Sequence, residues 1–253
     1  MSDAALASLE ISTRSLRLPT VKRLGPRLAE EATRRHQSHV DFLASVLAAE
    51  VDERDERRRM RRVKDAGFPR TKLLSEFDLD QSPSVSAGVL GALASGAYLE
   101  RGEPVVLLGD SGTGKSHLLI GLGMAACEQG RSVRYVTLSQ LVNELVEAAD
   151  ERRLSKLIAR YGRVDLLLLD ELGYVKLDTR GAEMLFQILT EREEKSSVAT
   201  ASNLPFSEWG KVIADVRLVA AIVDRLTFNA HIIETGTESY RLKSTRAKRT
   251  STR

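Results

Sequence analysis

The chain has 253 residues, 42% hydrophobic and 29% charged, the proportions of a globular protein rather than of a disordered or fibrous one. A net charge of +3 is too small by itself to single out a polyanionic partner, and Cys127, the one cysteine, excludes an intrachain disulfide and a cysteine-rich zinc site. Residues 1–13 lack a basic-then-apolar leader, and no apolar run approaches the roughly 18–20 residues of a membrane span, so a cytoplasmic location without a membrane partner is expected.

From residue 16 to 64 no strand-like alternation occurs, and Leu43, Val46, Leu47 and Val51 recur at helical spacing, which predicts a small helical domain over residues 1–66. Its last helix carries acids first and bases after them, and Gly67 and Pro69 should stop it. Glu53 with Arg57 and Asp55 with Arg59 are spaced as i,i+4 ion pairs. Arg58, Arg61, Arg62 and Lys64 are left without obvious acidic partners, either as a solvated face or as contacts for DNA phosphates. Residues 67–83 read as a linker. Beyond them, over 84–243, apolar runs alternate with helical stretches, the pattern of an α/β fold with helices on both faces of a five-stranded parallel sheet. The predicted strands are 105–108, 133–137, 166–170, 198–202 and 231–234. Three helical stripes between them should face the core: Leu154, Leu157, Ile158 and Tyr161; Ala182, Leu185, Phe186 and Leu189; Val219, Ile222, Val223 and Leu226. Residues 244–253 form a basic tail, expected to be flexible.

The run Gly109-Asp110-Ser111-Gly112-Thr113-Gly114-Lys115-Ser116, with His117 next, follows the first strand and opens a helix. A triphosphate has to be wrapped by backbone N–H groups, and a loop rich in glycine allows that approach. The helix start adds unpaired N–H groups and the positive end of its dipole, Lys115 can reach the outer phosphates, and the Ser116 hydroxyl can ligate Mg²⁺. The motif therefore implies ATP and Mg²⁺ as ligands. The third strand ends in Asp170 and Glu171, on the side of the sheet where ligands gather, so Asp170 can orient the metal through water and Glu171 can polarise the attacking water. Asn203 follows the fourth strand and would stand beside these carboxylates if that strand lay between the first and third, as a γ-phosphate sensor or simply as a turn residue. Arg225 lies off its helix's apolar stripe and should face outward, either to complete a neighbouring subunit's site or as an ordinary surface arginine.

Together these elements resemble the AAA+ ATPases, and most closely the IstB-like helper ATPases of insertion-sequence transposition, relatives of the DnaC and DnaI helicase loaders. The resemblance rests on 109–116, on Leu169-Asp170-Glu171-Leu172-Gly173-Tyr174, on the run from Ser202 to Trp209, on Val223-Asp224-Arg225-Leu226 and on Ser239-Tyr240-Arg241-Leu242. It implies a DNA-binding ATPase that assembles into a homo-oligomer through ATP-bridged interfaces on double-stranded DNA and recruits and stimulates a partner transposase. It further implies Lys115 and Ser116 as Walker A residues, Asp170 and Glu171 as Walker B, Asn203 as first sensor, Arg225 as a finger in trans and Arg241 as second sensor, without a full C-terminal lid. Arg152, Arg153, Lys156, Arg160 and Arg163 fall where related initiators carry a DNA-facing helical insertion. A helicase loader and a nucleotide-gated DNA scaffold with little turnover are the alternative functions.

Overall fold

A computed structural model describes residues 3–237 and 239–240, which divide between two compact units at the 61/62 boundary. The first unit holds α1 (Asp3–Ser15), α2 (Pro19–Arg34) and most of α3 (His39–Ala66). Pro19 sits in the first turn of α2, where its missing N–H costs nothing. The next two amides, Thr20 N and Val21 N, donate to the buried Glu50 carboxylate at 2.8 and 3.1 Å, and Arg54 pairs with its other oxygen. Burial opposes the charge on Glu50, yet the Val21 and Thr20 amides and Arg54 outweigh it and hold its pKa below the ordinary value. Of the stripe Leu43, Val46, Leu47 and Val51, only Val46 is buried.

Along α3 the acids take partners beyond those that i,i+4 spacing names. Glu53 takes Arg23 at 2.5 Å, Asp55 takes Arg58 at 3.3 Å, and Glu56 takes Arg59 at 2.6 Å. Arg57 donates to Thr20 Oγ1 at 2.9 Å and to the Glu53 carbonyl at 3.1 Å, and pairs with Glu50 at 3.9 Å. Helix α2 packs beside α3 and supplies Thr20 and Arg23, partners that spacing along one helix cannot foresee.

In the second unit the last turn of α3 is followed by a single 3₁₀ turn (Leu74–Glu76), α4 (Ala87–Ala94) and α5 (Ala97–Glu100). The alternation then runs β1 (Val105–Leu108), α6 (Lys115–Glu128), β2 (Val133–Thr137), α7 (Leu138–Asp150), α8 (Leu154–Gly162), β3 (Leu166–Leu172) and α9 (Thr179–Arg192). It closes with β4 (Ser197–Ser202), a 3₁₀ segment (Phe206–Lys211), α10 (Val216–Thr227) and β5 (His231–Glu234). All neighbouring strands are parallel, in the order β2-β3-β4-β1-β5. Strand β4 thus lies between β1 and β3, the condition on which Asn203 approaches the carboxylates.

The two-residue period of a strand sends successive leucines of β3 to opposite faces. Leu166 and Leu168 join the core against α6, while Leu167 and Leu169 join the core against α7, α9 and α10. Helix starts are fixed by side-chain caps: Thr137 accepts from Gln140 N on α7, Asp178 from Gly181 N on α9, and Asp215 from Arg217 N on α10. Cys127 is fully buried and its thiol is pushed up to about 11 by desolvation, an inert core position. Residues 67–83, read as a linker, lie against α6. Gly121 and Gly123 leave room there for Leu74 and Phe68, whose side chains a Cβ would meet at 2.7 and 2.8 Å.

Candidate nucleotide site

The loop between β1 and α6 leaves the carboxyl end of β1 and returns as the first turn of α6, so its amides gather at one rim of the sheet. Gly114, the N-cap of α6, has φ +97°, a conformation that side chains avoid. A Cβ there would stand 2.6 Å from Phe77 Cε2. Lys115 is 92% buried side-on to the loop, and its Nζ donates to the carbonyls of Gly109 at 2.6 Å and Asp110 at 2.7 Å. Thr113 Oγ1 bonds the Asp110 carbonyl and contacts Thr235 Oγ1 at 2.6 Å, tying the loop to the segment after β5. His117 Nε2 lies 2.8 Å from the Leu73 carbonyl, and the Phe77 ring stands edge-on to its imidazole at 5.5 Å.

Across the rim, the acidic end of β3 completes the site. Asp170 is buried; its Oδ2 accepts from Tyr135 Oη at 2.8 Å and its Oδ1 from Glu171 N at 2.8 Å. Glu171 is exposed, with φ +63°, and Gly173 follows at φ +108°, where a Cβ would run into Asn203 Oδ1. A non-glycine residue in that region marks backbone held by its surroundings. A cavity of about 430 Å³ is lined by Ser111, Gly112, Gly114, Lys115, Ser116 and His117 from the loop and α6 and by Asp170 and Glu171 from β3. Arg70, Lys72, Tyr174, Ala201 and Tyr240 line it too. Arg70 and Lys72 are not singled out by any motif; two cations within three residues of Pro69 are the signal the sequence holds for them.

Asn203 is not among the residues lining this cavity, and its Oδ1 is buried without a hydrogen-bond partner. The turn that carries it is well anchored. Ser202 Oγ donates to the Leu204 carbonyl and accepts from Leu204 N, and the buried Trp209 donates Nε1 to the same carbonyl at 3.1 Å.

Residues 11–248 match the family described as IstB-like ATP binding protein. This chain belongs to that family. An insertion-sequence ATP-binding protein of Sinorhizobium fredii is 39% identical over 239 residues, covering 94% of this chain and 80% of its own length. The IS21 insertion-sequence ATP-binding protein of Pseudomonas aeruginosa is 36% identical over 219 residues, 87% of this chain and 83% of its own. Among solved structures, AMPPCP-bound DnaA from Aquifex aeolicus aligns with a TM-score of 0.58 at 23% identity, over 72% of this chain and 55% of that one. The chain thus spans about half the length of that DnaA. DnaI aligns with a TM-score of 0.56 at 21% identity, over 71% of this chain and 98% of that one. These likenesses establish the AAA+ P-loop fold.

Arg225 lies at the opposite pole of the sheet from the phosphate loop. It borders a cavity with Arg101, Gly102, Glu103 and Pro104, which precede β1, and Ser196, which precedes β4. Contrary to the expectation that it faces outward, its side chain is only 28% exposed. Glu193, just past α9, pairs with its Nε at 2.9 Å, Asp224 takes Nη1 at 3.1 Å, and the guanidinium lies 5.7 Å from the Phe186 ring centre. Arg241 lies outside the described residues, as do residues 244–253.

The basic residues offered for DNA are dispersed. In the first unit Arg58 is paired with Asp55, which corrects the expectation that it lacks an acidic partner, and Arg61 is exposed. In the second, Arg62 Nε donates to the Cys127 carbonyl at 2.9 Å, a backbone partner that spacing on α3 does not reveal, and Lys64 is exposed. Arg153, Lys156, Arg160 and Arg163 line a groove of about 610 Å³, but Glu144, Glu147 and Glu151 line it as well. Arg153 pairs with Glu151, and Arg160 lies 5.9 Å from the Tyr161 ring centre. Arg152 is exposed at the α7–α8 turn. Among the described residues no helix is long and apolar enough to cross a membrane.

Proposed function

We propose that this chain is an ATPase that assists DNA transposition: it assembles on double-stranded DNA in its ATP state and recruits and stimulates a partner transposase. The observation that carries the reading is the single cavity shared by the phosphate loop, Lys115 and the Asp170–Glu171 pair, in a chain whose relatives are insertion-sequence ATP-binding proteins. The loop amides and the start of α6 bind the phosphates, and Lys115 exchanges its two carbonyl bonds for phosphate oxygens. Residues 109–117 form the nucleotide cradle, and residues 84–243 the ATPase domain, with 1–66 as a helical domain that supports DNA binding and assembly.

Among the described residues no cluster of three or more His, Cys, Asp or Glu side chains could hold a metal ion by itself. The Ser116 hydroxyl and the Asp170 carboxylate suit Mg²⁺, which keeps several waters and takes its other ligands from phosphates. When bound, it would neutralise charge on the β- and γ-phosphates. Glu171 takes the proton of the attacking water as the new O–P bond forms and the β–γ bridging P–O bond breaks, releasing ADP and phosphate. Asn203 senses the γ-phosphate end, and Arg241 is the second sensor.

Because Arg225 sits at the far pole from the loop of its own chain, its role is to complete the site of a neighbour, which makes hydrolysis depend on assembly. The double-stranded DNA partner is met by the basic residues of the second unit, Arg152, Arg153, Lys156, Arg160, Arg163, Arg62 and Lys64, and by Arg58 and Arg61 of the first. Such contact tolerates sequence and weakens steeply with salt. The test is ATP turnover by wild type, Lys115→Ala and Glu171→Gln with and without duplex DNA. Hydrolysis lost in both variants and raised by DNA in wild type supports the reading; Mg²⁺-independent turnover, or none under any condition, overturns it.

A further inference from the structure

The carboxylate of Asp170 does not hold its orientation alone. Residues 168 and 170 of β3 share the face that packs on α6, and β2 pairs in register with Tyr135 opposite Leu168 and Thr137 opposite Asp170. Tyr135 therefore rises on the same face, one diagonal step from Asp170, and its hydroxyl reaches Oδ2 at 2.8 Å. Its ring is wedged beside Phe68, centroids 6.4 Å apart, which limits how far the phenol can swing. Asp170 Oδ1 in turn accepts from Glu171 N, the residue whose backbone stands at φ +63°. Three groups form one line: phenol, carboxylate, and the amide of the residue that faces the attacking water.

We propose that Tyr135 is a positioning residue for the metal-bearing side of the nucleotide site. Its hydroxyl fixes the plane of the Asp170 carboxylate, and through Oδ1 it fixes the amide of Glu171. An ionised carboxylate has about four lone-pair directions, so two remain for metal-bound water after the phenol and the amide have taken theirs. Without the phenol the carboxylate is free to turn about its terminal torsion, which is broad and roughly two-fold, and it presents those lone pairs for only part of the time. The proposal rests on the nucleotide-site reading above. Nucleotide contacts made by the loop and Lys115 do not pass through Tyr135, so they are unaffected by its loss.

The experiment compares wild type, Tyr135→Phe, Asp170→Asn and the double variant, using a fluorescent non-hydrolysable ATP analogue titrated in EDTA and then across a range of Mg²⁺. The expected result for Tyr135→Phe is unchanged affinity in EDTA and a half-saturating Mg²⁺ concentration raised about tenfold, a lower-end effect for a hydrogen bond to a charged group. The double variant should then be no worse than Asp170→Asn alone, since Tyr135 acts through that carboxylate. A Mg²⁺ titration within twofold of wild type, or independent effects in the double variant, overturns the proposal. Should Tyr135→Phe fail to fold, wild type carrying Tyr labelled at Cζ gives the same answer: the Tyr135 signal moves when Mg²⁺ is added to the analogue-saturated protein, and a signal that stays put overturns the proposal. Lys115→Ala separates the two layers of inference. If it binds the analogue as tightly as wild type, the nucleotide-site reading falls and the positioning role with it; if Lys115 is required and the Mg²⁺ titration does not move, only the positioning role falls.

Discussion

Two glycines with nearly the same backbone strain should respond very differently to one methyl group. Gly114 (φ +97°) opens α6 and Gly130 (φ +86°) follows its end, so alanine at either position is forced into the left-handed region at about 1–2 kcal/mol. At Gly130 nothing lies within 4 Å of the new Cβ, and that cost is the whole effect. At Gly114 the Cβ would come within 2.6 Å of Phe77 Cε2 and 3.3 Å of its Cζ, and the half-buried ring is also held against His117. Overpacking of that kind adds about 1–3 kcal/mol, for a total of roughly 2–5 kcal/mol. At about 2–4 °C per kcal/mol for a domain of this size, the unfolding temperature should fall by roughly 2–8 °C in Gly130→Ala and roughly 4–20 °C in Gly114→Ala. Thermal denaturation of both, with Gly114→Ala combined with Phe77→Leu, isolates the clash: the double substitution should recover part of the extra loss. Gly114→Ala should also weaken ATP binding at least about tenfold because the loop amides move with the Cα, and Gly130→Ala should not. Equal losses for the two alanines, or a Gly114→Ala protein that binds ATP normally, would refute the close approach of Phe77 to the loop.

Other expectations follow from single contacts. Arg192 is 99% buried, its charge carried by donations to the carbonyls of Tyr161 and Ser197 at 2.5 and 2.7 Å, and burial lowers its pKa to about 10. Arg192→Met removes the buried donor from both carbonyls and should destabilise the protein by about 2–5 kcal/mol, measured by denaturant unfolding, without changing ATP affinity in the folded protein. Arg101, then His231, hold the Glu103 carboxylate down at about 2. A carboxylate with a depressed folded pKa contributes fully above its unfolded value and loses that contribution as pH falls through the folded one, so the decline in unfolding temperature between about pH 4.5 and 2 should be shallower in Glu103→Gln. Arg225→Ala should lose about 10³-fold in turnover while keeping ATP binding, and mixing it with Lys115→Ala should restore hydrolysis at sites that combine one protein's Lys115 with the other's Arg225. A mixture as inactive as its components would contradict action in trans.

What could be read directly was whatever is encoded by neighbours in the chain. The phosphate loop, the four leucines ahead of Asp170 and the five strands announce themselves by spacing, whereas the strand order, with β4 between β1 and β3, comes from the structure. What could not be read depends on partners distant in sequence. Arg57 turns to Thr20 because α2 lies alongside, and Arg225 is held down on Glu193, which stands just past the end of α9. Phe68 and Leu74 look like linker residues until Gly123 and Gly121 of α6 are seen to receive them. Tyr135 carries no motif at all; its role is visible only through the register of β2 on β3. The basic residues of α8 read as a phosphate-facing strip only while the glutamates of α7 across the groove are out of view.

ATP should drive this chain to assemble on DNA, and the test is the mass of Glu171→Gln measured with Mg²⁺ and ATP, with ADP, and with or without duplex DNA. This substitution should keep nucleotide binding and slow hydrolysis by roughly 10²–10⁴-fold, so the ATP state persists through the measurement. Large DNA-bound assemblies with ATP and none with ADP are the expected result. A protein that stays monomeric with ATP, and whose mass is unaffected by DNA, would rule out ATP-driven assembly and leave only a nucleotide-binding α/β domain.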